Sequence, residues 1–318
     1  MNIVSVNYWE IFNTLDFNQI KDHPNILIAA NFWDLDRYDA AKVCYNLMRT
    51  IDDLIDNYKA FHKVISEEEK GSFTTEVEDW IASIVHKTKN DPNQKKLFET
   101  FELFKIPVEP MEAFARSMIY DIHHDGFANL QTFLDYAEGA SVAPAAVFVH
   151  LCGITSKEDS YNLPSFDVME AARPCAIFSY LVHIIRDFQK DQFNNLNYLA
   201  DDLVEKNGLD RKQLNEIAHG GDISAGFRNL IREYCAVADE YRLKTYQVIQ
   251  KIRPFLEPRY QLSLDLIFNL YLMVFERIDV ENGRFTAKEL NPTPEEIKQR
   301  VYETIQQFLI EKDKYPAL

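Results

Sequence analysis

The chain has 318 residues, 47% hydrophobic and 26% charged, enough to bury one large core or two ordinary ones. Its formal net charge of -16 repels phosphate backbones, which excludes nucleic acid as an expected partner. The same charge requires any anionic substrate to be met by metal ions or a few well-placed cations.

From the N-terminus, Met1 to Glu10 has neither a basic start nor a long apolar run, so no signal peptide is expected. Only 9 glycines occur, and apolar residues recur at three- and four-residue spacing, which predicts an all-α chain. The first long helix is predicted from about Leu35 to Phe61. A polar, surface-type helix follows near Glu67 to Lys87 and ends in the turn Lys89-Asn90-Asp91-Pro92. Lys95 to Phe104 forms a short helix, stopped by Pro107 and Pro110. Glu112 to His124 and Leu130 to Cys152 come next, separated around Gly126. The loop Thr155 to Pro164 leads to Ser165, an expected N-cap. The following helix contains Pro174, expected to kink it, and runs through Asp191 to the stretch Asn194-Asn195-Leu196-Asn197. Further helices are expected near Arg211 to Ile217, Gly226 to Gln250, Leu256 to Ile278 and Pro294 to Asp313.

No linker is long or polar enough to divide the chain, so one domain over 1–318 is expected. The longest apolar stretch, Ala143 to Ile154, is too short to span a bilayer and contains His150. Cys44, Cys152, Cys175 and Cys235 lie scattered in apolar helical stretches without a CxxC pair and read as reduced core residues. A soluble, cytoplasmic protein is therefore expected, touching a membrane only peripherally to collect or release a greasy molecule.

Two helices carry the chemistry. At 100° per residue, Tyr45, Arg49, Asp52 and Asp56 fall within about 60° of one another, with Asp53 about a quarter-turn away. In the later helix His183, Asp187 and Asp191 follow at i, i+4 and i+8 and share a face. A solvated surface helix would show the same spacing. However, carboxylates stacked at i, i+4 repel each other, a cost that a solvated face need not incur. Both clusters also sit in strongly apolar helices, and each has an arginine beside it, Arg49 and Arg186. Two such walls could hold two or three magnesium ions, which take one or two carboxylates each and bridge to phosphate oxygens. No EF-hand loop favours calcium, and no matching Glu-x-x-His pairs favour di-iron. His123, His124 and Asp125 read as a helix end, because adjacent histidines diverge by about 100°. No P-loop, GxGxxG or Ser/His/Asp arrangement is present.

The stretch Tyr45-Asn46-Leu47-Met48-Arg49-Thr50-Ile51-Asp52-Asp53-Leu54-Ile55-Asp56 resembles the YxxxRxxDDxxD signature of the squalene/phytoene synthase family. Ile184-Ile185-Arg186-Asp187-Phe188-Gln189-Lys190-Asp191 resembles that family's second motif. Weaker matches are Met118 with Asp121, Tyr136 with Gly139, Tyr198 with Leu199, and Tyr271; together they cover roughly Pro24 to Ile278.

The resemblance implies an isoprenoid synthase helical bundle with a central cavity between the two Asp-rich helices. It also implies a prenyltransferase that joins two allylic C15 or C20 diphosphates head to head, with loss of diphosphate. Asp52, Asp53, Asp56, Asp187 and Asp191 would hold magnesium. Tyr45 and Arg49 would act at the reacting diphosphate. His183, read from its place one turn before Asp187 on the same face, could support Asp187, donate to diphosphate or serve as a quenching base, or be a hydrogen-bonded core histidine. Tyr136, Tyr180, Arg186, Tyr271 and Lys288 would contact substrate, together with His23 and Asn25, which stand where the family usually has serines. NADPH, used by squalene-type enzymes without a Rossmann fold, has no motif here to argue for it.

Several positions depart from the family's pattern. Tyr180 and His183 replace a Gln and an Asn, and Lys190 replaces an acidic residue. Asn195 and Leu196 stand where a Gly-Arg pair is expected, and the usual VAGxVG segment reads Ala140-Ser141-Val142-Ala143-Pro144. The metal ligands are kept while substrate-contacting positions change. A rival reading is therefore a divergent member acting on one prenyl diphosphate, as a terpene cyclase or a diphosphate-eliminating enzyme. A second rival is a non-catalytic assembly factor.

Overall fold

The computed structural model describes residues 6–18, 25–62, 64–87, 92–158 and 160–314. The chain is helical almost throughout. Two short helices, α1 (Tyr8–Thr14) and α2 (Asn25–Ala30), precede α3 (Leu35–Phe61), the helix of the first aspartate motif. Asp34 caps α3 by accepting from the Arg37 backbone N–H at 3.1 Å. Ser66 and Glu69 form a capping box at the start of α4 (Glu67–Val85), and α5 (Pro92–Phe104) follows.

Helix α6 (Glu109–His123) begins three residues before the predicted boundary. Pro110 lies in its first turn, where a missing N–H costs nothing, so this proline starts the helix rather than ending the preceding one. The expected helix from Leu130 to Cys152 is α7 (Leu130–Ala137), one π-turn over Glu138–Val142, and α8 (Ala143–Gly153). Pro144 has no N–H to offer the turn before it, and the π-turn absorbs the irregularity. Gly139 within it lies so close to α6 that a Cβ would collide with the Ala113 carbonyl and Ser117 Oγ. Ser141 Oγ donates to the Ala176 carbonyl at 3.0 Å and ties the turn to α9 (Val168–Arg186).

The loop expected after α8 contains a small antiparallel hairpin, β1 (Thr155–Lys157) with β2 (Ser160–Asn162). The N-cap of α9 is Asp167, which accepts from the Glu170 N–H at 3.0 Å, not the expected Ser165. Pro174 lies inside α9. The predicted continuous helix through Asp191 is interrupted at Asp187 (φ -93°, ψ 4°) and resumes as α10 (Phe188–Phe193). Beyond it lie α11 (Asp201–Lys206), α12 (Arg211–Ala218), α13 (Ala225–Ile252), a 3₁₀ turn over Arg253–Phe255, α14 (Pro258–Phe275), α15 (Ala287–Leu290) and α16 (Pro294–Lys314).

The buried apolar residues form one contiguous core. Helix α9 lies at its centre, packed along α13 and α8 and against α14, while α3 packs on α6 and α8. Among the described residues α9 is also the one helix long and apolar enough to cross a membrane, although half of it is buried within the bundle. The apolar stretch from Ala143 to Ile154 forms α8 and its C-cap residue and is largely buried.

Candidate active site

A cavity of about 470 Å³ opens between α3 and α9. Small side chains leave the space: Ala140 and Ala145 on one side, Ala172 and Ala176 one turn apart on α9. Phe148, Val149, Ile249, Ile252, Leu264 and Ile267 supply an apolar wall. The two aspartate groups lie on the same cavity, so periodicity brought each onto one helix face and packing brought the faces together.

On α3, Arg49 is shared between Asp52, at 2.9 Å, and Asp53. Burial pushes the Asp52 carboxyl up to about 6, with Asp121 and Asp53 adding repulsion that Arg49 only partly offsets. Asp56 has no side-chain hydrogen bond or ion pair among the described residues. Its carboxyl is pushed up to about 7, by burial first and then by Asp52 and Asp121. Tyr45 lies one turn before Arg49 on the cavity wall, its phenol also raised by burial.

The second group is arranged differently. Arg186 holds Asp187 by two bonds, Nε to Oδ1 at 2.7 Å and a terminal nitrogen to Oδ2 at 2.9 Å. His183 Nε2 reaches the same Oδ2 at 2.6 Å. Burial would raise the Asp187 carboxyl, but Arg186 and His183 prevail and hold it far below the usual carboxylate range. His183 moves downward, because desolvation and Arg186 outweigh the attraction of Asp187, so the ring is neutral at physiological pH. Asp191 has no side-chain partner among the described residues. Burial and the charges of Asp187 and Asp56 push its carboxyl well above its usual value. Asp191 therefore feels the charge of the first aspartate group across the cavity. Although the helix is interrupted at Asp187, the Asp191 N–H still donates to the Asp187 carbonyl at 2.8 Å. His183, Asp187 and Asp191 consequently all remain on the cavity.

Tyr180, Tyr198 and Tyr271 line the cavity. Tyr136 is buried behind Tyr180, its ring 6.3 Å away and stacked, and it is not on the wall. Arg186 stands behind Asp187 rather than on the wall. Asn25 starts α2 beside Ile26, which does line the cavity. Lys288 is exposed on α15, away from the wall. His23 lies outside the described residues. The His123, His124 and Asp125 group is a helix end: His123 meets Thr74 at 2.9 Å, His124 stacks on Tyr120, and Asp125 pairs with Arg211.

Sequence reasoning did not single out Asp121 as a site residue. It lies on α6, and its charge bears on both Asp52 and Asp56. Lys59, one turn beyond Asp56, donates to its carboxylate at 2.8 Å and to its carbonyl at 2.7 Å. The available signals were its weaker match to the family pattern, together with Met118, and its place among apolar helix positions. Nothing in sequence linked it to α3.

Among the described residues, no three His, Cys, Asp or Glu side chains converge into a ready-made metal cage. The donor set is nevertheless one of hard carboxylate oxygens. Asp56 and Asp191 are carboxylates held partly out of water beside like charges with no cation on them, which suits an ion that arrives with phosphate oxygens.

Residues 21–296 match the family model for squalene/phytoene synthase. The chain belongs to the squalene/phytoene synthase family. Solved structures with the same fold include a dehydrosqualene synthase in complex with ligand, at TM-score 0.66 and 14% identity, covering 94% of this chain and 98% of that one. YisP from Bacillus subtilis subsp. subtilis strain 168 follows at TM-score 0.60 and 15% identity, covering 92% and 96%. Squalene synthase HpnC from Alicyclobacillus acidocaldarius gives TM-score 0.55 and 12% identity, covering 78% and 96%. A search of curated proteins finds no match. Family membership bears out the expected family and the all-α bundle with its cavity between two Asp-rich helices.

Proposed function

We propose that the protein is a magnesium-dependent prenyltransferase that removes diphosphate from allylic prenyl diphosphates and joins two of them head to head. One observation carries this reading: both aspartate groups lie on a single cavity that also has an extended apolar wall. A diphosphate head and a hydrocarbon tail need those two environments side by side. Asp52, Asp53 and Asp56 on one side and Asp187 and Asp191 on the other are the groups that would hold magnesium. Bound magnesium would supply positive charge to a diphosphate as its bond to carbon breaks.

The chain's own side chains prepare that step. Arg186 and His183 fix the Asp187 carboxylate and keep it ionised. Arg49 holds Asp52 and Asp53 in position. The apolar wall excludes water from the prenyl chain and so protects an allylic cation from premature quenching. The π faces of Tyr180, Tyr198 and Tyr271 can steady such a cation.

A second reading is favoured by the size of the cavity. At about 470 Å³ it falls in the range of sites that enclose one drug-sized ligand, which favours a divergent member that takes one prenyl diphosphate. The two readings separate by product. Purified protein is incubated with magnesium and C10, C15 or C20 allylic diphosphates, with and without NADPH, and the extract is analysed by mass. A C30 or C40 hydrocarbon supports head-to-head condensation. A C15 or C20 hydrocarbon or alcohol supports the single-substrate reading, and no pyrophosphate from any substrate contradicts both.

A further inference from the structure

Among the described residues, the cavity wall carries five carboxylates, Asp52, Asp53, Asp56, Asp187 and Asp191, against two permanent cations, Arg49 and Lys190. The cations near the cavity differ in what they already hold. Arg49 is occupied by Asp52 and Asp53, Arg186 by Asp187, and Lys59 by Asp121. Lys190 alone of these four makes no hydrogen bond or ion pair among the described residues. It is exposed at the mouth, between Asp187 and Asp191 in the chain, and its charge acts on both His183 and Asp191. Across the same wall Leu196 is buried and brings no charge.

We infer that Lys190 binds the diphosphate head directly, supplying the free cation that the described residues of the wall otherwise lack. The inference rests on the proposed diphosphate chemistry and names a specific contact within it. An ammonium on a flexible stem suits this task, because it can reach a phosphate oxygen at the rim without a fixed fork geometry. Releasing Arg49 or Arg186 for the same purpose would leave a half-buried aspartate without its partner. Lys190 can be recruited at no such cost. Asn195, one turn further on, supports the local shape: its backbone is left-handed at φ 56°, a conformation Asn tolerates, and its side-chain amide donates to the Lys59 carbonyl at 3.3 Å. That bond fastens the segment following α10 to the end of α3.

The test uses inorganic pyrophosphate with magnesium as the probe and calorimetric titration as the readout, on full-length protein. Lys190→Met should weaken binding roughly tenfold or more, the loss expected of one charge-assisted bond. Lys190→Arg should recover most of it. Lys298→Met, the same charge change at an exposed position on α16, should bind like the wild type. With a prenyl diphosphate as substrate, Lys190→Met should raise KM more than it lowers kcat. If the wild type binds magnesium pyrophosphate and Lys190→Met binds it equally well, the inference is overturned while the diphosphate reading stands. If the wild type itself does not bind, both fall. Lys190 is exposed, so the variant should keep its melting temperature, which separates lost binding from lost folding.

Discussion

His183 Nε2 stands 2.6 Å from Asp187 Oδ2, one helical turn away, while Arg186 grips the same carboxylate from behind. A carboxylate fixed on two sides cannot rotate away when a ligand arrives. Replacing His183 with Ala should therefore lower turnover about 10- to 100-fold and raise the magnesium concentration needed for half-maximal rate. His183→Asn, which retains a donor, should lose less. A magnesium titration of the rate checks this, and an unchanged requirement in His183→Ala would remove the role given to the pair.

The raised carboxylates of α3 predict a pH-dependent stability. Asp52 and Asp56 are raised to about 6 and about 7 in the fold, so the native state holds their protons more tightly than the unfolded chain does. The stability they contribute is fully present below the unfolded carboxylate range near pH 4 and is lost as pH rises through 6 and 7. In metal-free buffer Asp56→Asn should therefore melt above the wild type at pH 8, and the gap should close at pH 5. Differential scanning fluorimetry at the two pH values measures it; a variant that melts lower at pH 8 contradicts the assignment.

Much of this site was legible in the sequence because it is local. Helix periodicity alone places Tyr45, Arg49, Asp52 and Asp56 on one stripe of α3, and α3 has the predicted bounds. What was not legible depends on contacts between helices. Tyr136 and Tyr180 were both expected to contact substrate, but the α7–α9 packing puts one ring behind the other. Lys190 was visible only as a departure from a pattern, since its freedom is defined by which other cations are engaged. The break at Asp187 and the π-turn before Pro144 are backbone adjustments that a continuous apolar pattern conceals.

The Lys59–Asp121 pair is one of those contacts, and it is a structural prediction in its own right. Its side chains are 11% and 12% exposed, and it joins α3 to α6 beneath the first aspartate group. Replacing Lys59 with Met would leave a buried carboxylate without its counter-charge, at a cost of about 3–5 kcal/mol. Urea denaturation of the variant gives the number directly, and a loss below about 1 kcal/mol would show the pair to be dispensable.

The apolar wall predicts dependence on chain length. Ala176 leaves space on the α9 side of the cavity, so Ala176→Phe should fill it. Each substrate methylene displaced into water loses about 0.8 kcal/mol, so displacing two should cost roughly tenfold in kcat/KM. The loss should fall on a C20 diphosphate and spare a C10 one. Equal losses on both would mean that the tail does not reach Ala176.

Pyrophosphate liberated from an allylic prenyl diphosphate in the presence of magnesium reports directly whether the two aspartate groups together release diphosphate. The wild type should release it, and Asp52→Asn and Asp187→Asn should each abolish release while keeping the helical content of the fold. Unchanged release in either variant would contradict the assignment of the site.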